Sequence, residues 1–358
     1  MLLRFTRPFA RSLRAFSSLP PGISNAAAVA LPRTLIAVSG QDSNKFLNGL
    51  ITIRPPEVTL REPPNEGIGA YGGLLNAKGR IITDLFIYPA HDNAEIQSIS
   101  AAGGASCYVL DVDTAIAEKV MDILDFHVLM MDVKLTFLSD FASYSLWNDE
   151  TDIDTSHFAN SLWTNDHRAP GFGLRAVLSS APNLPSVSLD EYRLRRYLFG
   201  IPEGSQELVP SKSLPLDSCM DYMGGIDFHK GCYLGQELTI RTHHHGNVRK
   251  RVMPVVFTKT ADEPLPEELY VPEDLAVEPG ADITDDSPVP DPASVEPIFA
   301  SSPFGSSPRR SRKRPSGEVI ASIGNVGLAK MRVDVLGHEF RTGELYVKPM
   351  IPFWWPKE

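Results

Sequence analysis

Residues 261–317 divide this chain of 358 residues in two: they carry 11 of its 30 prolines, and from 262 to 296 there are twelve acidic residues and no lysine or arginine. Such a stretch buries too little apolar surface to offset the entropy of ordering it. It reads as a disordered insertion, a long loop within a C-terminal β-rich module. The bases Arg309, Arg310, Arg312, Lys313 and Arg314 near its end read as a solvated charge run rather than a nuclear signal.

The opening of the chain is also set apart. Arg4, Arg7, Arg11 and Arg14 share one helical face, Leu2, Phe5, Phe9, Leu13 and Phe16 take the other, and residues 1–18 hold no acid. An acid-free, Arg-rich amphipathic helix at this position predicts a mitochondrial transit peptide over 1–16, cut after Phe16. The formal charge of −10 then becomes about −14 in the processed chain, which argues against nucleic acid or an anionic membrane as partner. Three cysteines with no CxxC pair exclude a disulfide framework and a cysteine-rich zinc module. No apolar run approaches the length of a membrane-spanning helix. The expectation is a soluble protein of the mitochondrial matrix.

Periodicity gives a coarse map of the body. Residues 35–39 read as a strand, followed by a helix over 43–50 capped by Asp42. Two β-rich runs flank Asn76, Ala77, Lys78 and Gly79, which is hairpin grammar. In the second run Asp84 shares a face with Ile82, Phe86 and Tyr88, so its carboxylate requires a partner. A helix is expected over 115–126, strands over 133–138 and 173–178, and a helix over 189–199 stopped by Gly200 and Pro202. After it, 251–259 and 318–332 read as β-structure. Short helices and strands joined by hairpins, with no βαβ fingerprint, favour an α+β fold.

Residues 224–251 concentrate the chemistry. Cys232 is preceded by Lys230 and Gly231 and followed by Tyr233, Gly235, Gln236 and Glu237. The two glycines suggest a tight bend presenting the sulfur. A thiol near Lys230 and the start of a helix over 233–240 has its thiolate favoured, fit to serve as nucleophile, redox group or soft-metal ligand. His243, His244 and His245 are consecutive, a spacing that rarely converges on one metal, and read as a polar loop. Cys107 and Cys219 lack charged context and default to packing.

The run Lys230-Gly231-Cys232-Tyr233, then Gly235-Gln236-Glu237, with Arg241, Gly246 and Arg249 to Arg251 after it, resembles the signature of the YgfZ family. These are folate-binding relatives of the glycine-cleavage aminomethyltransferase (GcvT), with a mitochondrial branch acting in iron-sulfur cluster assembly. Further similarity lies in Phe46 to Leu50, Gly79-Arg80 through Asp84, Arg195 to Pro202, Gly327 to Ala329 and Pro352 to Pro356. The resemblance implies a GcvT-like α+β arrangement of several domains around a central folate-type cavity: one domain over 33–140, a second over 141–249 with the cysteine motif, and a β-barrel over 250–356 interrupted by 261–317. It implies a tetrahydrofolate-like ligand, maturation of [4Fe–4S] proteins such as aconitase and the lipoate and biotin synthases, and A-type scaffold proteins, a ferredoxin and client apoproteins as partners. Cys232 carries over as the functional cysteine and as the point of contact with a transient iron-sulfur cluster. Asp84 is the second catalytic candidate. Lys230, Gly231, Tyr233, Gly235, Gln236, Glu237 and Arg241 carry over as the motif, with no residues assigned to a resident metal. Tyr71, Tyr88 or Tyr233 would stack a pterin, and Arg195, Arg196 or Arg241 would pair a glutamate tail. Thr83-Asp84 stands where the aminomethyltransferases carry adjacent aspartates, so one carboxylate of that chemistry is missing. Two functions are therefore expected: a non-catalytic assembly factor, or a folate-dependent one-carbon transferase.

Overall fold

The computed structural model describes residues 24–56, 67–100, 106–158, 161–261, 277–285, 315–336 and 338–356. The leader expected over 1–16 and much of the expected insertion lie outside the described residues.

The fold is α+β, built on two open sheets and a closed barrel. The first sheet has β2 (Arg33–Ser39), β3 (Ala70–Leu75), β4 (Ile81–Pro89), β5 (Cys107–Asp113) and β6 (Lys134–Leu138) in the order β3-β4-β5-β2-β6. The second has β1 (Ala26–Ala30), β7 (Ala142–Asn148), β8 (Leu162–Asn165) and β9 (Leu174–Leu178) in the order β1-β7-β9-β8. All these pairings are antiparallel. Strand alternation gives the first sheet two different neighbours. Ile36, Val38, Leu85, Ile87, Leu110 and Val112 pack with α1 (Ser43–Asn48) and α3 (Ala117–Val128). Leu35, Ala37, Phe86, Tyr88 and Val109 on the opposite face share a core with Ala27, Trp147 and Val177 of the second sheet. A short helix, α2 (Ala94–Ile99), connects β4 to β5, capped by the Asn93 side chain accepting from the Ile96 N–H.

Helix α4 (Leu189–Phe199) starts where the Ser188 hydroxyl accepts from the Glu191 N–H, and ends at Gly200, whose φ of +75° suits glycine. After α5 (Gly204–Glu207) and the irregular stretch that follows it, α6 (Gln236–His245) leads into the barrel. The barrel runs β10 (Lys250–Thr258), β13 (Val326–Arg332), β12 (Gly317–Ile323), β11 (Asp282–Asp285), β14 (Phe340–Thr342) and β15 (Leu345–Pro349), with β15 closing on β10. The last turn before the C-terminus docks on α4: the Trp354 indole donates to the Phe199 carbonyl, and Phe353 packs edge-on against the Phe199 ring.

Three expectations need correction. Asp42 precedes α1 but makes no cap hydrogen bond; its carboxylate accepts from the Asp132 N–H across the sheet edge. The expected helix over 233–240 runs from Gln236 to His245, so the three histidines form its last turn rather than a loop. The segment 261–317 is not uniformly without structure: β11 lies inside it and pairs with both β12 and β14. Average composition hid the alternation around Ile283, whose side chain is fully buried in the barrel core. Truncation of Ile283 to alanine is therefore expected to cost about 2–5 kcal/mol in chemical denaturation; an unchanged midpoint would mean that β11 does not close the barrel.

Candidate functional site

Cys232 lies in an exposed loop ahead of α6, and the residues on both sides of it are tied to one short segment. The Lys230 ammonium donates to the carbonyl oxygens of Asn48, Ile51 and Ile53, each at 2.8 Å. Asn48 is the last residue of α1, where helix carbonyls lack partners, so Lys230 caps α1 and also gathers two carbonyls from the segment just beyond it. Beyond the cysteine, the Leu234 N–H donates to the Gly49 carbonyl at 3.0 Å. Before it, the Asp227 N–H donates to the Thr52 carbonyl, and Arg54 reaches both the Asp227 carboxylate and the His229 carbonyl. Between these ties Gly231 and Cys232 face solvent. Two motifs of the family resemblance, Phe46 to Leu50 and Lys230 to Glu237, thus meet in space.

The role expected of Lys230 changes accordingly. Its three N–H donors go to carbonyl oxygens, so it positions the loop instead of donating to the Cys232 sulfur. Burial pushes its ammonium down to about 8, and the Tyr233 ring, itself buried, lies 5.0 Å from it. The bend also belongs to one glycine rather than two. Gly235 has φ +77°, and a Cβ there would lie 2.2 Å from the Asn76 carbonyl oxygen, whereas Gly231 has open space around it. Gly79 is the counterpart in the β3–β4 turn: a Cβ on it would meet the Gly235 oxygen at 3.0 Å and Leu238 Cβ at 2.9 Å. The hairpin turn is seated directly on the start of α6.

The remaining motif residues divide by exposure. The Gln236 side-chain oxygen accepts from the Tyr233 N–H, while Glu237 and Arg241 are exposed on α6. His243 stacks on Phe228 at 3.7 Å between centroids, which ties the end of α6 to the approach of the cysteine loop. No group of three or more His, Cys, Asp or Glu among the described residues is arranged to hold a metal ion. Cys219 is fully buried, donates its S–H to the Val252 carbonyl, and burial pushes its thiol up to about 12. Cys107 is buried beside Ser100.

Asp84 finds its expected partner, but in a closed setting. Arg33 donates to its Oδ2 at 3.1 Å and the Gly204 N–H to its Oδ1 at 3.1 Å, and the residue has no exposed surface. Arg33 also binds Asp111, which accepts from the Ser143 hydroxyl and lies 3.5 Å from Arg175. Arg175 and Arg168 converge on Glu203 at 2.9 and 2.6 Å, and Arg168 binds Asp166 as well. Burial raises the Asp84 carboxyl above its ordinary range, against the pull of Arg33. Burial would also raise Glu203, but Arg175, Arg168, Arg196 and Arg33 together hold it well below that range. Sequence reasoning missed Arg33, Asp111, Arg168, Arg175 and Glu203. The available signal was a lone charge inside an apolar strand, as in Leu110-Asp111-Val112 and Leu174-Arg175-Ala176.

Four of the residues expected to stack or pair a folate are buried or already paired. Tyr71 is buried, with the Arg168 guanidinium carbon 5.4 Å from its ring centroid. Tyr88 is fully buried in the shared core. Arg195 gives both terminal nitrogens to Asp149 and further hydrogen bonds to the carbonyls of Gly171 and Phe172. Arg196 is paired with Glu207. Asp84 and Cys232 do not share a surface, since one is sealed and the other exposed.

Comparison with known proteins adds three findings. Residues 249–357 match the C-terminal β-barrel domain of CAF17. A protein of Coccidioides immitis named "Iron-sulfur cluster assembly factor IBA57 homolog, mitochondrial" is 38% identical over 87% of this chain and 72% of its own length. Proteins of the same name from Yarrowia lipolytica and Neurospora crassa are 33% and 34% identical, over 90% and 87% of this chain and 74% and 71% of their own lengths. Among solved structures, the glycine cleavage system aminomethyltransferase T of Bartonella henselae superposes with a TM-score of 0.58 at 14% identity, covering 92% of this chain and 86% of that one. That likeness concerns the fold alone.

Three outcomes are expected from this geometry. Gly235→Ala, which must adopt a left-handed backbone against the Asn76 carbonyl, should lose about 2 kcal/mol or more in thermal or chemical unfolding, whereas Gly231→Ala should stay within about 0.5 kcal/mol of wild type. Alkylation of the native chain near neutral pH should stop at Cys232, as read by peptide mass spectrometry. Because Cys219 titrates near 9 when unfolded and near 12 when folded, its contribution to stability is intact below about pH 9 and is lost as pH rises toward about 12.

Proposed function

We propose, from the premise that the chain belongs to the IBA57 family of mitochondrial iron-sulfur cluster assembly factors, that it matures [4Fe–4S] proteins in the mitochondrial matrix and does so through Cys232. The observation that supports this reading is the placement of the thiol: exposed, in a loop tied down on both sides, while Cys107 and Cys219 are buried. One thiolate is too few for a stable cluster, which takes four. The cluster is cargo, and its other ligands come from a partner. A-type scaffold proteins stand on the donor side in this reading, with a ferredoxin as a further partner outside the exchange itself. Apoproteins such as aconitase and the lipoate and biotin synthases stand on the receiving side.

The chemical step is ligand exchange. The Cys232 thiol gives up its proton, its sulfur binds iron, and the displaced donor thiolate takes up a proton; no electrons change hands. The reverse exchange passes the cluster on. Lys230 and Gly235 serve by holding the loop, so that the sulfur presents itself without an ordering cost at each encounter.

A one-carbon transferase of the aminomethyl type requires Asp84 to touch its substrate, and that carboxylate has no exposed surface. In cells lacking the protein, Cys232→Ser is expected to accumulate normally yet leave aconitase activity and protein lipoylation close to the null level. Full restoration by the serine variant would remove the cysteine from the mechanism. Turnover of methylene- or formyl-tetrahydrofolate by the purified protein would instead support the transferase.

A further inference from the structure

Three aromatic rings, Tyr71, Phe86 and Phe172, come together where the two open sheets meet, and one side chain lies over all of them. The Arg168 guanidinium carbon is 5.4, 5.1 and 5.6 Å from their centroids. We infer that Arg168 occupies the aromatic platform on which a pterin ring would stack, and that the centre of this chain is closed to tetrahydrofolate.

The guanidinium is held there by more than the rings. Its Nε and one Nη bind the two Asp166 oxygens at 2.8 and 2.6 Å, in the paired geometry that suits arginine and carboxylate. The other Nη binds Glu203 at 2.6 Å, and the Tyr192 hydroxyl lies at 3.4 Å. Asp166 is two residues away along the chain, just past β8, so the side chain is folded back by its own backbone neighbour. A planar cation is also the better occupant electrostatically, because ring faces are negative and a neutral pterin gains less from them. Entry of a pterin would displace the guanidinium and leave Asp166, 3% exposed, without the partner that binds both its oxygens.

The polar handle such a ligand would need is spent too, since both oxygens of Asp84 are engaged, by Arg33 and by the Gly204 N–H. The handle is taken by the chain itself, and Arg168 covers the rings, with the Tyr71 hydroxyl left without a hydrogen-bond partner among the described residues. The centre is a self-filled joint between the sheets, and this holds whether or not Cys232 acts in cluster transfer.

Equilibrium dialysis of the full chain against 5-formyltetrahydrofolate tests this directly. The expected result is no saturable binding up to about 1 mM ligand. Micromolar binding that Tyr71→Leu weakens tenfold or more would overturn the inference. Binding that Tyr71→Leu leaves unchanged lies away from the platform and agrees with it. A second arm asks what the platform does hold. Arg168→Ala should lower the thermal midpoint, and millimolar methylguanidinium should raise it again where methylammonium does not, because only the former reproduces the planar fork. A folded variant that neither cation restores counts against a guanidinium-shaped site. Should Arg168→Ala not fold, the dialysis of wild type and Tyr71→Leu decides alone.

Discussion

Everything in the N-terminal body is arranged around a buried set of charges that joins the two open sheets. Arg33, Asp84 and Asp111 come from the first sheet, Arg175 from the second, Arg168 and Asp166 from the loop after β8, and Glu203 from the link between α4 and α5. Removing ions from water costs several kcal/mol each, and losing one partner of such a pair costs about 3–5 kcal/mol. Three guanidiniums face four carboxylates, an excess of one negative charge. Burial raises the Asp84 carboxyl above its ordinary range, while the surrounding arginines hold Glu203 well below it. Apolar side chains would fill the same volume in several arrangements. These pairs are directional, and they match β4 and β5 to β9 in one register.

The position of Cys232 traces back to that set. Asp84 holds β4 against Arg33 and Gly204; β4 carries the hairpin turn at Asn76 to Gly79; the turn seats on Gly235; and Gly235 opens α6 immediately after the cysteine loop. Lys230 completes the path from the other side by capping α1, which packs on the same sheet. A rigid interior and an exposed thiol are therefore two ends of one mechanical chain.

The sequence disclosed elements with strong local grammar and concealed those defined by distant partners. The hairpin around Asn76, the helix ending at Gly200 and the cysteine motif were legible because turn residues, a stop glycine and residue spacing announce them. β5, β7 and β8 went unread, since their pairing is settled by residues far along the chain. The charges of the centre shared that fate: Arg168 follows His167 in a loop of ordinary appearance, and its burial depends on two rings from the first sheet and Phe172 from its own loop. The function of Lys230 was misread for the same reason, as sequence adjacency suggested the cysteine while three-dimensional adjacency is to α1. β11 was lost in the average of a segment whose acids and prolines outweigh the buried Ile283.

The edge strand β1 has a consequence for assembly order. Ala26 to Ala30 pair with Asn148 to Tyr144, so the first strand of the chain waits for a neighbour more than a hundred residues downstream. A polypeptide that enters its compartment N-terminus first delivers β1 early and β7 late. Loop closure over that separation is slow relative to local pairing, and the first sheet, whose strands β2 to β6 all emerge before β7, can assemble in the meantime. The second sheet then forms by recruiting a strand that has stood unpaired until that point, which leaves β1 dependent on protection until β7 arrives.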